Sequence, residues 1–202
     1  MSSTININEL WKKAVDFHGH SCPGLAYGVR ASAIALENLA SGRAADEEMV
    51  AIVETDSCSV DGIQALTGCT LGKGNLIFKD HGKSAFTFVL RSNGKAIRII
   101  MGAGEAHRPD DALREKVMTG KASQMEKQLF QEMKEKRIQH ILKGPQEEIC
   151  SINWVNVKLP EKARIFKSIL CDKCGEHFME PRGRLEDGKI VCLDCFNEYK
   201  RS

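Results

Sequence analysis

Two segments near the N-terminus space their apolar residues as amphipathic helices do. Residues 8–17, NELWKKAVDF, predict a first helix, for which Asn8 is the expected N-cap. A second helix is predicted to begin at Pro23, because the first helical position leaves its backbone N–H unpaired and therefore tolerates proline. Its apolar positions continue to Ala40, so the pattern predicts two successive helices.

Shorter runs of branched apolar residues farther along the chain predict strands. The predicted strands cover residues 49–55, 84–91, 95–101 and 149–159. Ser92-Asn93-Gly94 separates the second strand from the third and predicts a hairpin. A short helix is predicted from about Ser59 to Gly68, and a longer helical stretch covers residues 109–144 with a break at Gly120. This order predicts an α+β fold in which helices pack on a mainly antiparallel sheet.

The chain of 202 residues is 42% hydrophobic and 28% charged, as expected of a globular protein with a substantial core. Its net charge of +2 is too small to favour nucleic acid or an anionic membrane surface. No apolar run approaches the roughly 20 residues of a membrane span, and the N-terminus carries no secretory signal pattern. We therefore expect a cytoplasmic protein with no membrane partner. Because disulfides are rare in the cytoplasm, its cysteines are expected to be ligands or reactive thiols.

The strongest motif is a set of four cysteines near the C-terminus. Cys171, Cys174, Cys192 and Cys195 form two C-x2-C pairs, and each pair can supply two thiolates to a tetrahedral zinc ion from one tight turn. The sequence GKIVCLDCFNEY suggests a short strand, a zinc knuckle and the start of a helix. We predict structural zinc in a small treble-clef or ribbon finger over residues 166–202, after a core domain over residues 1–165.

The charge of this finger argues against a nucleic-acid partner. Residues 161–202 contain nine Lys and Arg against eight Asp and Glu, and four thiolates with one zinc add about two negative charges. The zinc-loaded finger is then near neutral, whereas phosphate contacts need a basic surface. Stability or contact with a protein partner is the expected role.

A second group of potential ligands lies in DFHGHSCPG, residues 16–24, which contains His18, His20 and Cys22. Cys22 and Cys58 each precede a predicted helix, where the helix dipole and unpaired N–H groups favour a thiolate. A thiolate binds metal or attacks as a nucleophile, so Cys22 and Cys58 are the candidate catalytic residues. The four residues predict a cleft that binds a transition metal, zinc as isolated.

Other residues could support the ligands of this predicted site, and the same residues also have a purely structural explanation. Asp16 and Asp56 are candidates to orient an imidazole, and the surplus of donors makes His18 the candidate for a supporting role outside the ligand set. The alternative is structural, because a cysteine in an apolar run is often a small core residue and a histidine near a helix junction often only satisfies a carbonyl.

Residues 66–86, LTGCTLGKGNLIFKDHGKSAF, are rich in glycine and lysine. Their spacing fails to match a phosphate-binding P-loop, so the glycines predict a turn that leads to a strand. The lysines nevertheless offer positive charge to a small anionic ligand, and Cys69 is predicted to face either the cleft or the core. His81 and His107 are weaker site candidates.

Three stretches of the sequence, HGHSCPG, ETDSCSVDGIQALTGCTLGKGN and the four-cysteine tail, resemble the FmdE family, which is named after formylmethanofuran dehydrogenase. The resemblance implies an α+β core, a His/Cys metal cleft and an appended zinc finger. It also implies association with molybdenum or tungsten formylmethanofuran dehydrogenase, an enzyme of one-carbon metabolism in methanogenesis. By position, the implied cleft residues are His18, His20, Cys22, Cys58, Asp61, Gln64, Cys69 and Lys73, the last four as cofactor contacts.

The expected function is that of a metal-binding accessory protein or enzyme of one-carbon and molybdenum–tungsten metabolism, in the enzymatic case an oxidoreductase-associated subunit. A catalytic molybdenum subunit is disfavoured, because the sequence contains no molybdopterin signature or iron–sulfur cysteine run. The alternative is a zinc-finger scaffold or oligomeric partner-binding protein with no chemistry of its own. Apolar residues near helical spacing along residues 111–142 predict a homodimer that this helix or the finger holds together.

Overall fold

The computed structural model describes residues 6–102 and 109–199. The chain divides into two compact units, Met1–Lys162 and Ala163–Ser202. His107, one of the weaker site candidates, lies outside the described residues. No helix in the described ranges combines the length and the apolar character that a membrane span requires.

Three helices of the first unit pack together: α1 spans Ile7–His18, α2 spans Pro23–Asn38 and α3 spans Ser59–Thr67. The central helix α2 packs against α1 and α3, and its middle turns are almost wholly buried. Its predicted start at Pro23 is confirmed, as is the end of α3 at Gly68, whose φ of +73° suits glycine.

The predicted cap of α1 is wrong by two residues. Asn6 is the N-cap, because its side-chain oxygen accepts hydrogen bonds from the backbone N–H groups of Asn8 and Glu9 at 3.1 and 3.4 Å. Asn8 lies inside the first turn. The sequence offers an asparagine at both positions, so residue type alone does not distinguish them.

A five-stranded sheet also contributes to the core, in the order β2-β1-β3-β4-β5. The strands are β1 Met49–Val53, β2 Leu76–Phe78, β3 Ala85–Leu90, β4 Ala96–Met101 and β5 Cys150–Trp154. Among the strands in the described ranges, only β1 and β2 pair in parallel, so the predicted mainly antiparallel sheet is confirmed. The central strands β1 and β3 are buried along their whole length, which explains why they appear as continuous apolar runs in the sequence.

Glu54, which follows β1, is 7% exposed and joins two parts of the sheet. Its carboxylate accepts hydrogen bonds from Arg98 on β4 at 2.8 Å and lies 3.2 Å from the His81 ring nitrogen. Burial raises the pKa of Glu54, but the contacts with Arg98 and His81 outweigh burial and lower that pKa overall. His81, a weaker site candidate, thus contacts Glu54.

The predicted helical stretch forms two main helices, α4 over Asp111–Met118 and α5 over Gln124–Lys143. The predicted break at Gly120, with a φ of +73°, is confirmed. Ser123 and Glu126 then begin α5 with a reciprocal capping box. A further short helix, α6 over Gln146–Ile149, precedes β5 and was not predicted.

The second unit contains two short hairpins. The first pairs β6 Ser168–Leu170 with β7 His177–Met179, and the second pairs β8 Arg184–Glu186 with β9 Lys189–Val191. A 3₁₀ helix over Glu180–Arg182 connects them. The helix start predicted after the last cysteine is wrong over residues 192–199, which form turns and irregular backbone.

Candidate metal centre

Cys22 and Cys58 both occupy N-cap positions, as the sequence predicts. Cys22 has an extended backbone, and its Sγ accepts a hydrogen bond from the Leu25 N–H at 3.3 Å, as a polar cap would. Cys58 precedes α3 with helical backbone angles and makes no side-chain cap bond. The two thiols therefore stand at the N-terminal ends of two packed helices.

Glycines bring these helix ends together. A Cβ on Gly28 of α2 would lie only 2.0 Å from the carbonyl oxygen of Ser59, and one on Gly62 of α3 would lie 3.0 Å from the backbone nitrogen of Val29. A Cβ on Gly24 would lie 3.2 Å from the Cβ of Cys58. Because no larger residue fits at Gly28 without a shift, the close approach of α2 and α3 depends on it.

The structure brings all four predicted core ligands together. His18, His20, Cys22 and Cys58 each offer one ligand atom, and these atoms lie within 4.8 Å of one another. The imidazole centroids of His18 and His20 are 4.3 Å apart. Gly19 between them has a φ of +87°, so the turn that directs both rings to one place uses a conformation that glycine adopts readily. His20 is exposed, and the other three are partly buried.

His18 is held from both sides. Its Nδ1 lies 2.7 Å from the Asp61 carboxylate, and its Nε2 lies 3.9 Å from the Cys22 sulfur. Metal-binding histidines commonly donate one N–H to a carboxylate while the other nitrogen faces the metal, so this geometry fits His18 as a ligand. Gln64 extends the network, because its side-chain N–H₂ donates to the other Asp61 oxygen at 3.4 Å.

The carboxylate that contacts an imidazole is that of Asp61, and not that of the predicted Asp16 or Asp56. Asp16 and Asp56 are exposed, and within residues 6–102 and 109–199 neither forms a hydrogen bond with an imidazole. Asp61 takes this role, because its place in the first turn of α3 directs its side chain toward the end of α1. In the sequence, the only local indication of this role is that Asp61 follows the helix-capping Cys58 by three residues.

The expected decrease in thiol pKa is wrong for Cys22. Burial raises the pKa of Cys22, the hydrogen bond from the Leu25 N–H opposes that increase, and the nearby Cys58 adds to it. The overall result is a pKa above the ordinary value, because a partly buried site disfavours the charged thiolate. The helix N-terminus alone therefore does not generate a thiolate there.

A cleft of about 450 Å³ opens beside His18 and Cys58. Asp61 and Gln64, two of the implied cofactor contacts, also line it. Its other lining residues are Val53, Thr55, Asp56, Ser57, Val60, Leu71, Leu76 and Phe78. The cleft thus combines an apolar wall with a polar edge that adjoins the four-residue cluster, which is the usual composition of a small-molecule site.

Cys69 and Lys73, the other implied contacts, do not line this cleft. Cys69 is fully buried in the core, where its thiol donates to the Met49 carbonyl at 3.4 Å, and burial raises its pKa. The Lys73 ammonium donates to three successive carbonyls, those of Ala44, Ala45 and Asp46, at 3.2–3.3 Å. The Lys73 ammonium therefore holds the loop over residues 44–46 in place.

Asn75 stabilises the same region through side-chain hydrogen bonds, a role that the sequence pattern does not predict. It is fully buried, and its side-chain N–H₂ donates to the carbonyls of Asp46 and Met49, both at 3.0 Å. Its oxygen accepts from the Thr70 N–H at 2.9 Å. These bonds satisfy backbone groups of two loops at once, which no local sequence pattern indicates.

The four C-terminal cysteines form the other cluster. Their sulfur atoms lie within 4.8 Å of one another, with Cys174 and Cys192 4.0 Å apart. Backbone N–H groups, that of Cys174 first, lower the pKa of Cys171 to about 6, whereas sulfur contacts, that with Cys192 first, raise the pKa of Cys195 to about 12. Four converging soft donors are the ligand set of a structural zinc site.

Comparison with known families now identifies both units. Residues 17–151 match the family described as FmdE, molybdenum formylmethanofuran dehydrogenase operon. The chain belongs to the FmdE family. Residues 164–201 match the prokaryotic dksA/traR C4-type zinc finger, so this FmdE-family chain carries a metal-binding zinc finger at its C-terminus.

Two relatives resemble nearly the whole chain. One is a crystal structure of a tungsten formylmethanofuran dehydrogenase FmdE-like protein from Syntrophus aciditrophicus, with a TM-score of 0.62 and 28% identity over 95% of this chain and 92% of that one. The other, from Archaeoglobus fulgidus, is named a probable S-adenosyl-L-methionine-binding protein and is 36% identical over 96% of this chain. The chain covers 54% of that protein's length, about half of it.

Proposed function

We propose that the FmdE core binds a transition metal, zinc as isolated, through His18, His20, Cys22 and Cys58, and presents it to a small ligand in the adjoining cleft. The observation that carries this proposal is the placement of His18, with Asp61 on Nδ1 and the Cys22 sulfur facing Nε2. A core histidine that served only stability would not also need three further ligand-type side chains within 4.8 Å.

The donor set fits a borderline-soft metal such as zinc. His18, Cys22 and Cys58 are partly buried on rigid helix ends and are the proposed permanent ligands, whereas the exposed His20 is the ligand that exchanges with an incoming molecule. A metal held in this way supplies Lewis acidity at the edge of the cleft. Asp61 fixes the His18 tautomer, and Gln64 holds the Asp61 carboxylate.

The wider role that we propose is an accessory protein, or an enzyme, of molybdenum- or tungsten-dependent one-carbon metabolism of the methanogenesis type. Membership of the FmdE family and similarity to the Syntrophus aciditrophicus protein support it. Subunits of a formylmethanofuran dehydrogenase are the proposed partners. The C-terminal zinc finger and exposed apolar residues of α5 offer surfaces for such contacts.

Binding of S-adenosyl-L-methionine is the second candidate, and the similarity to the Archaeoglobus fulgidus protein favours it. Exposed Leu71 and Phe78 in the cleft offer an apolar surface to an adenine ring, and Asp56 and Asp61 offer negative charge to a sulfonium. Equilibrium dialysis with labelled S-adenosyl-L-methionine tests it, and retention that Phe78→Ala does not weaken would place the ligand outside this cleft.

Metal analysis of the full-length protein tests the principal proposal. After reconstitution with zinc, the unmodified chain should hold about two equivalents, one in each cluster. The double variant Cys22→Ala, Cys58→Ala should hold about one, because the zinc finger is a separate site.

Cys150→Ala is the matched control, since Cys150 belongs to neither cluster in the described ranges. It should keep both equivalents. Equal metal content in the double variant and the unmodified chain would refute the core site and leave a structural role for the cluster.

A further inference from the structure

A second cavity, of about 480 Å³, is lined by Cys22, which does not line the cleft. It is enclosed by the start of α2 and by one face each of α4 and α5. Its lining residues are Cys22, Pro23, Pro109, Arg114, Met118, Phe130, Lys134 and Arg137. Neither the family resemblance nor the predicted site assigns a role to the α4 and α5 residues that line this cavity.

Three cations converge on this cavity, Arg114, Lys134 and Arg137, and no aspartate or glutamate is among its described lining residues. Arg137 contacts the Tyr27 hydroxyl at 3.4 Å. Within the described ranges, Arg114 and Lys134 form no ion pair. Like charges that share a concave surface repel one another, so an anion bound between them would relieve that repulsion.

The lining of the second cavity combines charged and apolar side chains. Arg114 and Met118 are one helical turn apart on α4, and Phe130, Lys134 and Arg137 follow one stripe of α5. The apolar surfaces of Met118 and Phe130 are therefore interleaved with the cations. This pattern suits an organic anion with an apolar body better than a small inorganic ion.

Cys22 belongs to the metal cluster and also lines the second cavity. His18 and Cys58 line the cleft, whereas Cys22 lines the second cavity, so members of the four-residue cluster line both spaces. A molecule in the second cavity would lie against the Cys22 side chain without entering the cleft.

We propose that the second cavity is a binding site for an amphipathic organic anion, a carboxylate or phosphate ester whose charged group contacts Arg114, Lys134 and Arg137 and whose apolar body packs on Met118 and Phe130. This site goes beyond the proposed metal function and does not need the metal. The bound anion covers Cys22 and thereby controls access to that member of the metal cluster.

Calorimetric titration of the full chain with 2-naphthoate and with the neutral 2-naphthylmethanol tests the site. The carboxylate should bind more tightly than the alcohol. Arg114→Gln and Lys134→Gln should each weaken naphthoate by about tenfold, the usual effect of losing one hydrogen bond to a charged group, and should leave the alcohol unchanged.

Lys127→Gln and Lys136→Gln are matched controls, because they remove the same charge from exposed positions of α5 that do not line the cavity. They should leave naphthoate binding unchanged. An equal loss in control and test variants, or equal binding of acid and alcohol, would overturn the proposal.

The location is tested by alkylation of the metal-free chain. Naphthoate should slow iodoacetamide modification of Cys22, read by peptide mass spectrometry, and leave Cys58 as the internal control. Equal protection of both thiols, or of neither, would contradict the assignment. The calorimetric titration is run both with and without zinc, so failure of the metal site would not be mistaken for failure of the anion site.

Discussion

His18 and Asp61 join the last turn of α1 to the first turn of α3 through a contact of 2.7 Å. The His18 side chain is 10% exposed, and the Asp61 side chain is 39% exposed, so the pair lies at the border between core and cleft. One residue thus serves two purposes, because Asp61 both fastens two helices and sets the orientation of an imidazole.

Asp61→Asn should weaken metal binding in the core by about 10- to 100-fold, because the amide orients His18 less strongly and adds no negative charge. Competition with a chromogenic chelator measures the affinity. Asp16→Asn, an exposed carboxylate two positions before His18, is the control and should bind as the unmodified chain does. If both variants behave alike, Asp61 does not support a ligand.

At the scale of elements, the packing of α2 on α3 positions the two thiols. This contact is the most extensive between helices of the first unit, and it depends on backbone touching backbone. A methyl group added at this interface would be destabilising, because neither helix can move without displacing the other elements that pack on α2.

Gly28→Ala should lower the free energy of unfolding by about 1–3 kcal/mol or more, since its Cβ would lie 2.0 Å from the Ser59 carbonyl oxygen. Urea titration followed by circular dichroism measures the change. We also expect less metal in the core cluster, because Cys58 precedes Ser59 directly.

Gly42→Ala is the matched control, because nothing lies within 4 Å of the position its Cβ would occupy. It should unfold within about 0.5 kcal/mol of the unmodified chain. A Gly28→Ala protein with unchanged stability would mean that the two helices separate easily.

At the scale of the whole molecule, the zinc finger should fold only with its metal. Its two hairpins have three residues per strand and few buried side chains, Cys171 and Val191 among them, so its apolar core is too small to fold it unaided.

Cys174→Ser should release zinc from the finger and expose residues 168–202 to protease, while the core stays folded. Limited proteolysis with mass spectrometry measures this. Asp194→Ser, an exposed residue between the last two cysteines, should stay resistant. A finger that kept a full equivalent of zinc without Cys174 would contradict a four-cysteine site.

The homodimer stays a prediction that the structure makes more specific. Of the apolar residues along residues 111–142, Leu113 and Ile141 are buried in the core, whereas Met125 is 81% exposed and Leu129 is 48% exposed. Light scattering at micromolar concentration should give the mass of a dimer, and Leu129→Glu should give that of a monomer. Lys127→Glu is the control and should remain dimeric, whereas an unmodified monomer would refute the prediction.

The sequence alone determined the features that depend on neighbouring residues. Apolar periodicity, the proline at the start of α2 and the glycines that end α3 and interrupt the long helical stretch act locally, so most elements could be predicted. Most ligands of the two clusters were predictable for the same reason, because C-x2-C pairs and H-x-H-x-C concentrate ligand types within single turns. Cys58 lies far from Cys22 in the chain and reaches its cluster through the packing of α2 on α3.

Only the tertiary structure decided which distant groups meet. Asp61 on His18, Cys69 in the core, Lys73 on three carbonyls and the raised pKa of Cys22 all depend on burial and on contacts between segments far apart in the chain. The sequence predicts that a residue lies at a helix start, but it does not predict how deeply the side chain is buried there. For Cys22 the loss of solvent outweighs the N–H group that favours the charged form, because desolvation depends on everything that packs around the thiol.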